Sequence, residues 1–270
     1  MSELNPAEAA RKAVTDHMAS MGFLDHLEEL RRRIIWSVVF VAAGFGICFS
    51  YAEKIYGYMQ QPIMTALRAH KLDEKLVYLN PTEPFNTYLK VGLLTGLFLA
   101  SPFVLYQVWA FVAPGLYRNE KRYVMPFMVF SVGLFVGGGY FGYRIVYPRA
   151  LDFLIGYGSQ FQAMITIGEY TDLFLTIILG LGIIFEMPIL VFFLSLMGIV
   201  TPGWMWRNLR YSVLVIFIIA AIITPTVDIL NMCVFAAPMV TLYIFSIFIA
   251  WLVSPARRKA RREAQATSSE

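Results

Sequence analysis

Residues 23–33 read FLDHLEELRRR and run directly into an apolar segment that begins at Ile34. Phe23, Leu27, Leu30 and Ile34 recur at i, i+4, i+7 and i+11. That spacing makes one apolar stripe of a helix that lies along a membrane and continues into a first span. Arg31, Arg32 and Arg33 fit the rule that basic residues flank membrane helices on the cytoplasmic side. The carboxylates Asp25, Glu28 and Glu29 do not, because acids contribute little to orientation. Two readings fit them. Glu28 and Glu29 stand four residues before Arg32 and Arg33, the favourable order for helical ion pairs, so the stretch can be a self-neutralised amphipathic helix. Alternatively a carboxylate here serves a basic ligand. Arginine is then the natural counterpart, since its planar guanidinium meets a carboxylate with two parallel N–H groups.

The rest of the chain supports a membrane setting. Of its 270 residues 58% are hydrophobic and 15% charged, and its mean hydropathy is +0.62. A soluble domain carries about 25% charged residues. Stretches of about 20 apolar residues are needed to cross the hydrocarbon. Candidates fall at 34–52, 88–110, 124–147, 171–197, 211–225 and 229–253. The expected fold is all-α: a polytopic membrane protein of six transmembrane helices, with both termini on one side and a short fifth and sixth helix. That side holds 15 Lys and Arg against 7 on the other, which places the N- and C-termini in the cytoplasm and the chain in the plasma membrane. The net charge of +4 therefore reflects orientation and lipid contact, with no nucleic-acid partner implied.

The expected organisation is a flexible N-terminus (1–20) followed by a membrane domain (21–253). That domain includes an amphipathic entry helix (21–33) and an external cap (53–87) holding Pro62, Pro81, Pro84, Tyr56, Tyr58 and Phe85. A disordered basic tail (254–270) follows, whose RRKARR at 257–262 suits anionic lipids. The first 33 residues lack the apolar core of a cleavable signal peptide. Cys48 and Cys233 lie in apolar runs and read as packing residues. His17, His26 and His70 show no ligand spacing. With no nucleophile–base pattern or phosphate loop either, the chain reads as a non-enzyme without metal or cofactor.

Glu186 sits inside the fourth span, in IIFEMPI, and an ionisable group at that depth is a functional hypothesis by default. Pro188 follows two residues later; it frees the carbonyl of Ile184 and kinks the helix beside the acid. Three readings remain: a neutral Glu bonded to a neighbouring helix, a polar contact for a partner or substrate segment, and a proton relay. The fifth span has only about 13 apolar residues, about 20 Å at 1.5 Å per residue against a core of about 30 Å. It is either sheltered by its neighbours or a device that thins the bilayer.

A further constellation lies at 106–122, YQVWAFVAPGLYRNEKR. Trp109, Phe111 and Tyr117 are interfacial types. Pro114-Gly115 ends the second helix. Glu120 is an acid among Arg118, Lys121 and Arg122, on the same face as Glu29. Either it pairs locally, or both acids serve one basic ligand.

HLEELRRR (26–33), ASPFVLYQVWAFVAPGLY (100–117), RNEKR (118–122), FEMP (185–188) and ITP (223–225) occur in this order. Together they resemble the TatC subunit of the twin-arginine protein translocase, over about residues 20–255. The resemblance implies a receptor for the twin-arginine signal peptides of folded precursor proteins. Such a receptor works with TatA- and TatB-type single-span partners and with further copies of itself, driven by the proton gradient. By motif it implies that Glu29 and Glu120 contact the arginine pair. It sets Leu30, Arg31, Phe111, Tyr117 and Arg118 around them, Pro62, Pro84 and Phe85 in the external cap, and Glu186 with Pro188 at the intramembrane partner contact. The turn TPTVD (224–228) departs from the family's usual TPPD, which leaves Asp228 without a role. The alternative function is a proton-coupled small-solute transporter using Glu186.

Overall fold

The computed structural model describes the backbone of residues 6–112, 124–158, 160–161, 163–223 and 229–267. It describes side chains over 26–111, 127–158, 160–161, 163–222 without 196, and 229–252 without 230, 231 and 234. Most of the described residues are helical, in apolar segments linked by turns, and the connections near 70–82 and 158–166 meet in one isolated parallel bridge between Val77 and Thr166. Five stretches are long and apolar enough to cross a membrane: His26–Phe49, Glu83–Phe111, Phe127–Tyr157, Ile167–Ser195 and Phe235–Leu252. A sixth apolar helix, Leu209–Ile222, is shorter.

Helix α1 (Pro6–Phe49) carries the opening stretch and the first span without a break. Two short helices, α2 (Ala52–Met59) and α3 (Gln61–Ala69), then build the cap. Helix α4 (Glu83–Val112) returns alongside α1. The two cross at glycines. A Cβ on Gly96 would lie 2.5 Å from the Phe45 nitrogen, and one on Gly44 would lie 2.5 Å from the Gly96 carbonyl oxygen. Backbone touches backbone there, which only glycine permits. Pro102 sits inside α4 and cannot donate to the Phe98 carbonyl four residues back. Ser101 Oγ donates to that carbonyl instead, at 2.7 Å, so the helix continues in a medium without water to fill the vacancy.

The third span is α5 (Val124–Phe141), a π-helical turn (Gly142–Val146) and α6 (Tyr147–Tyr157). Tyr147 donates its N–H to the Gly142 carbonyl, and Pro148 follows. The missing N–H at Pro148 accounts for the wider turn. The fourth span is broken where the sequence predicts a kink: α7 (Ile167–Ile184) ends and α8 (Met187–Met197) begins on either side of Phe185-Glu186. The Glu186 N–H goes to the Ile183 carbonyl at 3.0 Å, and its own carbonyl accepts from Ile189 and Leu190. Helix α9 (Pro202–Arg207), capped by the Thr201 hydroxyl, leads into α10 (Leu209–Ile223), and α11 (Ile229–Thr267) completes the chain. At 15 residues, α10 is about 22 Å long. The turn 224–228 with Asp228 lies outside the described residues.

The main core joins the cap to the bundle. Ile63, Val91, Tyr147 and Ile177 are fully buried, with Tyr170 and Phe174 packed among them. Hydrogen bonds tie the cap down. Tyr143 donates to the Tyr58 carbonyl at 2.9 Å, Tyr170 donates to the Met59 carbonyl, and His70 meets Asp152 at 2.8 Å. Val77 exchanges backbone bonds with Ile165 and Ile167. Pro62 opens α3 and Pro84 the first turn of α4; both are half-buried, and Phe85 is exposed.

A candidate peptide groove and an intramembrane polar chain

At the end of the bundle opposite the cap, α1 and α4 leave a groove between them. Glu29, Arg32, Arg33, Trp36 and Phe40 line it from α1, and Tyr106 and Gln107 from α4, around about 490 Å³. The α1 residues fall at helical spacings of three, four, seven and eleven from Glu29, so one face carries charge at its mouth and aromatic rings farther in. The rings make a ladder: Trp36 on Phe40 at 5.9 Å between centroids, then Phe40 stacked on Phe103 at 4.8 Å.

The charged mouth is organised around Glu29. Its Oε1 accepts two bonds from Arg33, from Nε at 3.0 Å and from Nη2 at 2.5 Å. Arg33 also reaches across to Gln107 Oε1 on α4, at 3.4 Å. The Glu29 and Arg33 side chains are 35% and 24% exposed, so the pair is half-sheltered while still open to a ligand. Leu30 is half-buried beside it, and Arg31 is exposed. Phe111 is half-buried and stacks on the His26 ring at 4.4 Å and 14°, closing α1 against the end of α4. Tyr117, Arg118 and Glu120 lie outside the described residues. Of the residues expected at this site, Glu29, Leu30 and Phe111 therefore meet at the same end of α1 and α4. Trp36, Tyr106 and Gln107 join them without having been marked in the sequence. Gln107 and Tyr106 sit inside the quoted 106–122 block, and a Gln in an otherwise apolar helix was the available signal.

Deeper in the bundle Glu186 ends a polar chain through three helices. Trp109 Nε1–H donates to Ser131 Oγ at 2.9 Å, and Ser131 Oγ–H donates to Glu186 Oε2 at 2.6 Å. Glu186 Oε1 is buried with no hydrogen-bond partner. Trp109 is 7% exposed and stacks on Phe193 at 4.4 Å. The sequence reading made Trp109 an interfacial ring. Its indole instead faces the protein, because a buried acceptor stands ready for its N–H. Pro188, fully buried, starts α8 directly after the acid. Among the described residues no group of three or more His, Cys, Asp or Glu could hold a metal ion.

The comparisons agree with one another. The family model for the Sec-independent protein translocase protein (TatC) matches residues 25–238. The chain is 70% identical over 262 residues to the Sec-independent protein translocase protein TatC of Koribacter versatilis (strain Ellin345), covering 97% of this chain and 96% of that one. It is 35% identical to the TatC of Aquifex aeolicus (strain VF5), covering 90% of this chain and 100% of that one. A crystal structure of a twin-arginine translocase receptor, TatC, superposes with a TM-score of 0.75 at 35% identity, covering 85% of this chain and 99% of that one.

Proposed function

The chain belongs to the TatC family of Sec-independent protein translocase proteins, and on that premise we propose that it is the receptor that reads twin-arginine signal peptides on folded precursors. The observation that carries this reading is the carboxylate of Glu29, half-sheltered in a groove whose deeper walls are Trp36, Phe40 and Tyr106. A signal peptide offers the matching order of features, a guanidinium pair followed by an apolar segment. The guanidinium bonds Glu29, and the apolar segment exchanges water for aromatic surface. Glu120 is the second acid by motif, with Tyr117 and Arg118 beside it, and Leu30, Arg31 and Phe111 hold the mouth. The excess of Lys and Arg on this side, 15 against 7, supports a cytoplasmic mouth and cytoplasmic termini, where unexported precursors are.

The multi-pass bundle packs on a filled core, which suits a receptor and assembly platform better than a fixed channel for folded cargo. Partners enter through the membrane. Glu186, a half-buried acid inside the bilayer region, suits a polar side chain on a TatA- or TatB-type single-span helix, and Pro188 gives that notch its bend. Pro62, Pro84 and Phe85 belong to the external cap, at the end opposite the groove. The short α10 favours a locally thinned bilayer where these partners gather. Uniform bilayer thickness on all sides of the reconstituted protein would remove that last point.

The test is binding of a twin-arginine signal peptide to the purified protein and to its Glu29→Ala and Glu120→Ala variants. Each acid removed should weaken binding at least tenfold, because a hydrogen bond to a charged group is worth about 1.5–3 kcal/mol. A Lys-Lys peptide should bind all three poorly. Unchanged binding in both variants would reject the site. The transporter alternative predicts solute flux in liposomes from this protein alone. It is disfavoured by the Trp109 end of the polar chain, since an indole N–H donates but accepts no proton in return.

A further inference from the structure

In the free protein the acid at the groove mouth already holds an arginine. Arg33 puts two N–H groups on one oxygen, Glu29 Oε1, and leaves Glu29 Oε2 without a hydrogen bond among the described residues. Its remaining nitrogen, Nη1, reaches Gln107 Oε1, a neutral acceptor on the facing helix. Helical spacing alone does not produce this. Glu28 and Arg32 have the same spacing and the same order, yet form no ion pair in the structure. What separates the two pairs is the groove, which shelters Glu29 and Arg33 and supplies Gln107.

We propose that Arg33 is an internal counter-ion that occupies the receptor's arginine site and is displaced by the signal peptide. The proposal rests on the reading of Glu29 as the arginine-binding acid. The free Oε2 gives the incoming guanidinium a foothold before Arg33 leaves Oε1, so the carboxylate is never left bare in a half-sheltered site. Gln107 then takes the released guanidinium. An exchange of this kind keeps Glu29 paired at every stage. It also sets a numerical signature. A competing internal ligand lowers the affinity of every cationic ligand by the same factor, one plus the equilibrium constant of the internal pair. For an i,i+4 pair of ordinary strength that factor is about three.

The experiment measures fluorescence-anisotropy binding of a twin-arginine signal peptide and its Lys-Lys counterpart to the purified full chain in detergent. Arg33→Gln should bind both peptides about threefold more tightly, leaving their ratio unchanged. Arg33→Lys keeps the charge that orients α1 but cannot place two N–H groups on one oxygen, and should gain in the same direction by less. Gln107→Leu removes the resting place of the displaced guanidinium. It should weaken binding by a larger factor in the wild-type background than with Arg33→Gln, and equal factors in the two backgrounds would overturn the proposal. Weaker binding by Arg33→Gln would overturn the proposal, because Arg33 would then be positioning Glu29 for its ligand. A gain in Arg33→Gln without one in Arg33→Lys, or with Gln107→Leu silent in both backgrounds, would reduce Arg33 to a repelling charge and also overturn it. If the wild-type chain does not bind the twin-arginine peptide, or Glu29→Ala binds it equally well, the receptor reading itself has failed.

Discussion

Replacing Ser131 with alanine removes one hydroxyl and strands two buried groups. Trp109 Nε1–H loses its acceptor, and Glu186 loses its only hydrogen-bond donor among the described residues, since Oε1 already has none there. An orphaned buried polar group costs about 1–3 kcal/mol, which would give about 2–6 kcal/mol for two. Interhelical bonds measured in membranes are weaker, averaging about 0.6 and reaching about 1.7 kcal/mol, because helices separated in the membrane find other partners. The separated-helix state is the proper reference for a protein unfolding in micelles, so the smaller scale applies. Two lost bonds then predict about 1–3 kcal/mol. The assay is unfolding in mixed micelles by rising anionic detergent, for wild type, Ser131→Ala, Glu186→Leu and the double variant. With Glu186 gone, Ser131→Ala should cost less by about 0.6–1.7 kcal/mol, the coupling of the two residues. A cost below about 0.5 kcal/mol in both backgrounds, the level of a neutral surface change, would show that the three side chains are neighbours without being bonded, and the reasoning would fail.

Gly96→Ala should destabilise by about 1–3 kcal/mol through overpacking, because its Cβ would meet backbone of Phe45 and Gly44, which cannot rotate away. Gly46→Ala, with nothing within 4 Å of the new atom, should be neutral or slightly stabilising in the same melt, and equal effects at the two sites would refute the crossing. Ser101→Ala should cost about 1 kcal/mol by stripping the Phe98 carbonyl of its donor, and the loss should vanish in a Pro102→Ala background, where the restored N–H takes over. In the cap, burial with help from Tyr88 pushes the Tyr56 hydroxyl up from 10.0 to about 12. The folded state then keeps a proton that the unfolded chain releases, so stability should be level below pH 10 and fall as pH rises towards 12. Tyr56→Phe should make that decline shallower without abolishing it, and an unaltered slope would show that other groups alone cause it.

Hydropathy made the bundle legible, because the need for an apolar length to cross the hydrocarbon acts on each segment alone. The shortness of α10 and the break beside Pro188 were readable for the same reason. Pairings between segments were not. Ser131 is one small hydroxyl in an apolar run, and nothing local distinguishes it from a serine bonded to its own helix. Trp109 has the composition of an interfacial ring and is drawn inward only because Ser131 and Phe193 await it. At the groove the order of charges was visible, but two equivalent Glu–Arg pairs stood side by side. Only the position of α4 shows that Glu29 and Arg33 are the sheltered pair. The π turn at Gly142 needed both Pro148 and the close approach of Ile178 and Leu181, and that approach belongs to the fold.

The bare-backbone crossing at Gly44 and Gly96 has a mechanical side. The two backbones meet directly there, with Phe45 and Phe49 packed on Gly92 one turn nearer the cap, so α1 rests on α4 as a beam rests on a fulcrum. From Gly44 to Phe49, at the cap, is five residues, and from Gly44 to Glu29 is fifteen. At 1.5 Å per residue the arms are about 7 and 22 Å. A tilt that shifts the cap end by about half an ångström swings the mouth end about three times as far, roughly the difference between a closed hydrogen bond and an open one. The long arm carries Glu29 and Arg33 and is held to α4 by the Phe40–Phe103 and His26–Phe111 stacks and the Arg33–Gln107 bond, so those are the contacts that any tilt at the mouth has to break.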